Sequence, residues 1–227
     1  MYSEIRLPPG EALWRSNGSA GGVVIPADGC VDLILRDGQE AVAGPSTRWL
    51  ASGPDGANGS FGLRFPPGRA RHLLGVDLHR VADQIVLLED LVNRGRAMQL
   101  REAMIPLEAG PGPTSALSLI AAEVAGSSRW SEAVRRAAFE EAPAKDVSAT
   151  MSGSDRSFRR RMLATFGYGY ATLVRLERAR RAQWLLRSGS TIAAAAAETG
   201  FADQPHLSRE FRRLVGRSPA QFAASSA

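Results

Sequence analysis

At 227 residues, the chain has the length of two modest domains, each able to bury a hydrophobic core. Its 44% hydrophobic and 22% charged residues are ordinary for a globular protein, and no apolar run approaches the roughly 18–20 residues of a membrane-spanning helix. The single cysteine, Cys30, excludes an intrachain disulfide, and there is no basic-then-apolar leader. We therefore expect a cytoplasmic protein without membrane contact.

The net charge of +5 conceals an asymmetry between the two parts of the chain. Residues 1–142 contain 14 basic and 17 acidic side chains, whereas residues 143–227 contain 14 basic and only 6 acidic ones. All of the net positive charge thus belongs to the C-terminal part. This distribution is typical of a nucleic-acid-binding module joined to a module of another kind.

The first 80 residues are rich in glycine and proline, with short apolar runs between turn signals. These runs predict strands, and Asp37-Gly38 predicts a tight turn after the second of them. Many short strands at close spacing favour a small β-barrel or sandwich. The predicted strands are residues 22–25, 30–35, 41–44, 60–65 and 73–76.

From Leu78 onward the pattern turns helical. Val81, Ile85, Leu88 and Val92 recur at helical spacing, and further apolar runs predict three more helices before the break at residues 140–143. The cluster at residues 108–113 predicts a loop. The predicted helices are residues 97–104, 117–124 and 130–139.

A 14-residue pattern occurs twice, at residues 154–167 and 203–216, 49 residues apart without a gap. Each copy begins with a residue suited to a helix N-cap and ends with a glycine suited to a left-handed C-cap. Each also places an apolar pair one turn apart. The matched residues are Ser154 and Asp203, Phe158 and Leu207, Met162 and Phe211, and Gly167 and Gly216.

The face opposite each apolar pair carries side chains that read base edges and phosphates. In the first copy these are Arg156, Arg159 and Arg160; in the second they are Gln204, Ser208, Arg209 and Arg212. Pro205 falls in the first turn, where a missing amide proton costs little. The alternative is a pair of solvated arginine-rich helices, which the presence of two copies in register disfavours.

A short helix and a glycine-containing turn precede each copy, which completes a helix-turn-helix unit. Residues 144–151 form the first supporting helix and the alanine-rich residues 191–199 the second. A connecting helix at residues 173–187 can fix the two units relative to each other. We expect the recognition helices to lie about one duplex turn apart, roughly 34 Å, on one face of DNA.

Two runs belong to the second unit and the residues after it: Gly200-Phe201-Ala202-Asp203-Gln204-Pro205-His206-Leu207-Ser208-Arg209-Glu210-Phe211 and Gly216-Arg217-Ser218-Pro219-Ala220-Gln221-Phe222. With these motifs the C-terminal part resembles the AraC/XylS family of transcriptional regulators over about 80 residues. The resemblance implies major-groove reading by Arg156, Arg159 and Arg160, and by Gln204, Ser208 and Arg209 in the second unit. Two departures are Ser148, where the family usually has alanine, and Pro205 at a common reading position.

Residues 15–95 more weakly resemble an N-terminal domain that is often fused to this module. The shared residues are the run at 26–34, Gly44-Pro45 and the run at 64–68. The resemblance implies a cupin-like β-structure that senses a small molecule or mediates dimerisation, and it brings no known ligand. For the helices before residue 142, a packed bundle and a dimer contact stay open as alternatives.

The N-terminal part holds few residues suited to catalysis or metal binding. Only His72 and His79 could serve a cupin-type metal site, and surface or core roles are favoured for both. For Cys30 a buried structural thiol is favoured over a redox sensor. The candidates for a ligand site are Trp49, Arg64, Arg69 and His72. Core packing is the alternative for Trp49, as it is for Trp14. For Arg64 and Arg69, together with Arg71, the alternative is a solvated basic edge.

The sequence thus predicts an α+β protein: a cupin-like β-domain (residues 1–95), a helical linker or dimerisation segment (96–142) and an all-α tandem helix-turn-helix domain (143–227). The predicted function is sequence-specific binding of promoter DNA as a transcriptional regulator, with no catalytic residues, metal or cofactor. A small-molecule effector, RNA polymerase and a second copy of the chain are candidate further partners. The alternative is a sensor or cupin-like enzyme with a secondary DNA-binding module.

Overall fold

The computed structural model describes residues 2–7, 10–17, 23–108 and 128–225. The N-terminal part contains a six-stranded antiparallel sheet with the strand order β1-β2-β7-β4-β5-β8, and a two-stranded ribbon of β3 and β6. The strands are β1 (Tyr2–Arg6), β2 (Ala12–Ser16), β3 (Val24–Ile25), β4 (Val31–Arg36), β5 (Gln39–Ala43), β6 (Leu50–Ala51), β7 (Ser60–Phe65) and β8 (Ile85–Leu87).

The central strands of the sheet follow from alternation of side chains. Val31, Leu33 and Leu35 are buried on one face of β4, and Leu33 pairs with the equally buried Leu63 of β7. Asp37 and Gly38 join β4 to β5, both with positive φ (50° and 75°), as a two-residue hairpin turn requires. The predicted turn is therefore confirmed.

Helices cover the buried face of the sheet and complete the first hydrophobic core. Phe65, Leu73, Leu100 and Met104 all belong to this core, which brings strand and helix residues together. A 3-10 turn, Leu78–Arg80, follows the first helix. The helices are α1 (Ala70–Leu74), α2 (Leu88–Leu91) and α3 (Arg94–Glu108).

Some N-terminal expectations were wrong. Residues 73–76 are not a strand, because Leu73 and Leu74 lie in α1 and Gly75 closes that helix with φ 68°. The apolar series from Val81 to Val92 is not one helix, since Ile85 starts β8, which pairs with β5. A short apolar run can form a helix or a strand, and here the run at Ile85 forms a strand because it pairs with the edge of β5. The expected helix at 117–124 and loop residues 109–113 lie outside the described residues, as does Gly22.

The C-terminal part is helical and has its own core. Val134 and Ala138 belong to it, as do Phe166, Leu173 and Phe211, so the helix before residue 142 packs with the helices after it. Leu100 and Met104, earlier in the chain, belong instead to the first core. The helices are α4 (Ser128–Phe139), α5 (Ala144–Ser152), α6 (Asp155–Phe166), α7 (Tyr170–Arg187), α8 (Ile192–Glu198), α9 (Gln204–Val215) and α10 (Pro219–Ala224).

The α+β class is therefore confirmed, with an antiparallel sheet in the N-terminal part and helices in the C-terminal part. Among the described residues, no helix combines the length and apolar content that crossing a bilayer requires.

Gly44, which follows β5, offers a test of packing between the sheet and the segment after the 3-10 turn. A Cβ at this position would lie 1.8 Å from the carbonyl oxygen of Val81. We expect Gly44→Ala to lower the free energy of unfolding by about 1–3 kcal/mol, because backbone must shift to make room. Urea unfolding measures this, with Gly53→Ala as the control, where the nearest atom is 3.9 Å from the added carbon. Equal stability of the two variants would contradict the prediction.

Candidate nucleic-acid interface

The first helix-turn-helix unit consists of α5 and α6. Gly153 turns the chain with φ 70°, and the Ser154 side chain accepts a hydrogen bond from the amide of Ser157, 3.3 Å away. Ser148, buried on the supporting helix, donates its hydroxyl to the carboxylate of Asp155 in the first turn of α6. The departure from alanine at position 148 thus adds a bond between the two helices of the unit.

Helix α6 presents its predicted reading face to solvent. Phe158 and Met162 are buried, whereas Arg156, Arg159 and Arg160 are exposed. None of these three arginines forms an ion pair with another residue of the described part of the chain. Their guanidinium groups are therefore available to phosphates or base edges.

Arg161 adjoins this face but is engaged elsewhere. Its guanidinium carbon lies 4.1 Å from the ring centroid of Trp130 on α4. Burial, and then the neighbouring charge of Arg71, lower the pKa of Arg161. The stacking separates Arg161 from the three predicted readers that precede it in the sequence.

The second unit consists of α8 and α9 and repeats the design of the first. The Asp203 side chain accepts the amide of His206 at 2.6 Å, and Thr191 caps α8 in the same way. The ring of His206 packs edge-on against Phe201 at 5.3 Å between centroids, and its Nδ1 accepts the amide of Ala202. His206 therefore fixes the turn of this unit.

Helix α9 also presents its predicted face outward. Leu207 and Phe211 are fully buried in the C-terminal core. On the opposite face Gln204, Arg209 and Arg212 are exposed, and Ser208 is half-buried. Pro205 lies in the first turn, as expected.

Helix α7 joins the units, and Glu141 ties it to the segment before α5. Glu141 binds the guanidinium groups of Arg178 and Arg181, both on α7. Burial alone would raise the pKa of Glu141, but the hydrogen bonds and charges of the two arginines outweigh it and lower that pKa. Gly200 approaches the same pair, since a Cβ there would lie 2.9 Å from a Glu141 carboxylate oxygen. Sequence reasoning missed this cluster because its members are far apart along the chain.

The four N-terminal candidates for a ligand site occupy separate environments. Arg64 on β7 pairs with Asp32 at 3.0 Å and also with Glu4 and Asp28. The remaining three have different neighbours: Arg69 is buried and pairs with Glu11 and Glu132, His72 is exposed on α1, and Trp49 lies against Gly216.

Arg64 belongs to a polar cluster that sequence reasoning did not find. The Trp14 indole N–H donates to Asp32 at 2.7 Å, and burial raises the pKa of Asp32 although Arg64 opposes this shift. Cys30 nearby is a free, half-buried thiol whose pKa is raised by burial and then by Asp28. A raised thiol pKa reduces thiolate character, which agrees with a structural role. Within the described residues, no group of three or more His, Cys, Asp or Glu side chains could hold a metal ion.

Comparisons with known proteins agree with this geometry. Residues 147–225 match a helix-turn-helix domain family, and residues 11–87 match a domain of unknown function, DUF6597. The C-terminal part is a helix-turn-helix domain of the AraC/XylS type. The chain is thus a DNA-binding transcriptional regulator, as the sequence predicted. A comparison of the sequence with curated proteins gave no match.

Two solved structures have low similarity to the chain. A probable AraC family transcriptional regulator from Rhodopseudomonas palustris is 22% identical, with a TM-score of 0.38, over 43% of this chain and 94% of that one. ToxT from Vibrio cholerae is 10% identical, with a TM-score of 0.43, over 98% of this chain and 97% of that one.

The ion pairs of Glu141 predict a pH-dependent contribution to stability. Because the folded-state pKa of Glu141 is lowered, its contribution is present above the unfolded pKa and disappears as the pH falls through the folded value. We expect Glu141→Gln to lower the free energy of unfolding by about 1 kcal/mol at neutral pH, and by progressively less below about pH 4.

Urea unfolding across this pH range measures the effect. Glu140→Gln, an exposed neighbour, is the control and should follow the wild type throughout. A constant difference between Glu141→Gln and wild type down to the acid limit would show that charge is not the cause.

Proposed function

We propose that this regulator binds promoter DNA by placing α6 and α9 in successive major grooves of one duplex. The observation that carries the proposal is the pair of equivalent helices in a single core, each with its apolar pair buried and its polar face exposed. Helix α7 joins them within that same core, so one hydrophobic core supports both recognition helices. Two fixed recognition helices predict a site of two short blocks about one turn, roughly 34 Å, apart.

The proposed roles of the side chains follow from their chemistry. Arg156, Arg159 and Arg160 would contact bases and phosphates in the first groove, because a guanidinium group donates bidentately to guanine or phosphate. In the second groove Gln204, Ser208, Arg209 and Arg212 would do the same, with Gln204 suited to adenine.

In this proposal residues 143–227 bind DNA, and the N-terminal β-domain receives the signal. A small-molecule effector, if it binds there, would act through different affinities for two arrangements of the protein. Trp49, Arg64, Arg69 and His72 stay predicted ligand contacts. We also propose that the protein acts in the cytoplasm. A second copy of the chain and RNA polymerase are its proposed protein partners.

Selection of bound duplexes from a random DNA pool by the full chain, at physiological salt, tests the proposal directly. We expect an enriched motif of two short blocks separated by about one helical turn. The absence of any enriched motif with folded protein would overturn tandem reading. Metal or a small molecule co-purifying with the same protein would instead favour the sensor or cupin-like enzyme.

Single arginine variants test the assignment of reading residues. Arg160→Ala or Arg209→Ala should cost about 1–3 kcal/mol of specific binding and relax one base position, because alanine cannot donate the bidentate hydrogen bonds. Fluorescence anisotropy on the selected duplex and on single-base variants measures both effects. Arg94→Ala, an exposed arginine of the N-terminal part, is the matched control and should change neither. If both Arg160→Ala and Arg209→Ala still discriminate fully between the selected duplex and its single-base variants, the placement of α6 and α9 in the grooves is wrong.

Salt dependence tests the electrostatic part of binding. Because arginines displace counterions condensed on DNA, we expect affinity to fall at least roughly tenfold between about 50 and 200 mM salt. The double variant Arg159→Ala, Arg160→Ala should show a shallower dependence, by roughly 0.9 in logarithmic slope for each phosphate that is no longer neutralised. A wild-type affinity that does not change with salt would argue against DNA as the partner.

A further inference from the structure

The C-terminal end of α9 is completed by the N-terminal domain. The last carbonyls of a helix have no partner within the helix. Here the Arg213 carbonyl accepts the amide of Trp49 at 3.3 Å, and the Leu214 carbonyl accepts the amide of Ala27 at 2.7 Å. The N-terminal domain therefore supplies two of the donors that satisfy the last carbonyls of the second recognition helix.

Side chains reinforce this contact. The Arg213 guanidinium donates to the carbonyl of Thr47 at 3.3 Å and also pairs with Glu210 at 3.1 Å. At the C-cap, Gly216 allows a close approach, since a Cβ there would lie 2.6 Å from Val24 and 3.0 Å from Trp49. Backbone and side chains thus hold α9 from the same side.

The first recognition helix ends against the same segment of the N-terminal domain. A Cβ on Gly167, the C-cap of α6, would lie 2.5 Å from the Pro45 ring and 3.2 Å from the carbonyl oxygen of Leu78. The neighbouring Tyr168 donates its buried hydroxyl to the carbonyl of Gly29 at 3.4 Å. Residues 45–49, which we call the bridging loop, therefore contact the C-terminal ends of both recognition helices.

The bridging loop is held in place by Asp83. The carboxylate of Asp83 accepts the amide of Thr47 at 2.6 Å and its hydroxyl at 2.7 Å, and the Asp83 amide donates to the Pro45 carbonyl. Asp83 has a φ of 58°, a conformation that aspartate and asparagine tolerate better than most residues. These bonds tie the loop to the segment before β8.

We propose that the bridging loop sets the relative orientation of α6 and α9, and that Thr47, Trp49 and Asp83 are positioning residues for DNA recognition. The contacts lie at the C-terminal ends of the helices, whereas the predicted readers lie on their exposed faces. The loop therefore orients the helices without covering the residues that would read bases. The inference rests on tandem reading and adds that the N-terminal domain determines the spacing of the two blocks.

Spacing preference is the property that a merely structural role would not change. Each inserted base pair rotates one block relative to the other by about a tenth of a turn. We expect the affinity of the wild type to fall about tenfold or more when one base pair is added or removed between the selected blocks. Trp49→Ala and Asp83→Ala should reduce that penalty to about two- to threefold, while binding to a duplex with one block is unchanged.

Controls separate this role from general destabilisation. Asp83→Asn keeps an acceptor for Thr47 and should retain the wild-type spacing preference, as should Asp90→Ala and Trp184→Ala, which change exposed residues. If Asp83→Ala does not fold, Trp49→Ala decides: it removes the ring that lies beside Gly216, keeps the backbone bond to Arg213 and, because Trp49 is 41% exposed, leaves no large buried cavity.

The outcomes are distinguishable. A wild-type spacing preference that Trp49→Ala retains in full would overturn the role of the bridging loop and leave tandem reading intact. A wild type that binds one block but shows no spacing preference would overturn both, because rigid reading heads require one.

Discussion

The structure depends on the close approach that Gly167 and Gly216 permit at the ends of the two recognition helices. Both glycines have positive φ, 82° and 75°, and both lie where a Cβ would collide with the N-terminal domain. In the sequence they mark the ends of a repeated pattern, as ordinary left-handed C-caps do. In the fold each also forms part of the interface between the two cores. Each glycine thus ends its helix and also allows the N-terminal domain to pack closely against that end.

The remainder of the C-terminal part shows why two short helices can be held without a large domain. Phe158 and Met162 of one helix and Leu207 and Phe211 of the other enter a common core, so α7 need not be rigid on its own. Ion pairs of Glu141 with Arg178 and Arg181 then join the start of the domain to this helix. Apolar burial holds the two units together, and the ion pairs of Glu141 attach α7 to the segment before α5.

The sequence predicted this part well because its signals are local. Caps at Ser154 and Asp203 and the spacing of apolar pairs all depend on residues within one or two turns. The N-terminal part was harder, since β1 is a short polar edge strand and β2 is placed by its pairing with β7, which is distant in the sequence. Pro45 and Thr47 could not be recognised as contacts of the recognition helices, because no pattern in a chain shows which loop meets which helix end. Whether the exposed arginines read bases stays a prediction.

The position of the interface also bears on how a signal could act. The N-terminal domain contacts the recognition helices from their C-terminal ends, so it does not block the exposed faces, and control by simple occlusion is disfavoured. Control by orientation remains, and its energy scale is suitable. Each bond between the bridging loop and α9 contributes roughly 0.5–1.5 kcal/mol net, and the two bonds together match the roughly 1–3 kcal/mol of a typical allosteric coupling. An effector that shifted Asp83 or the strands beside it would therefore need to change only a few hydrogen bonds to alter which operator spacing is bound.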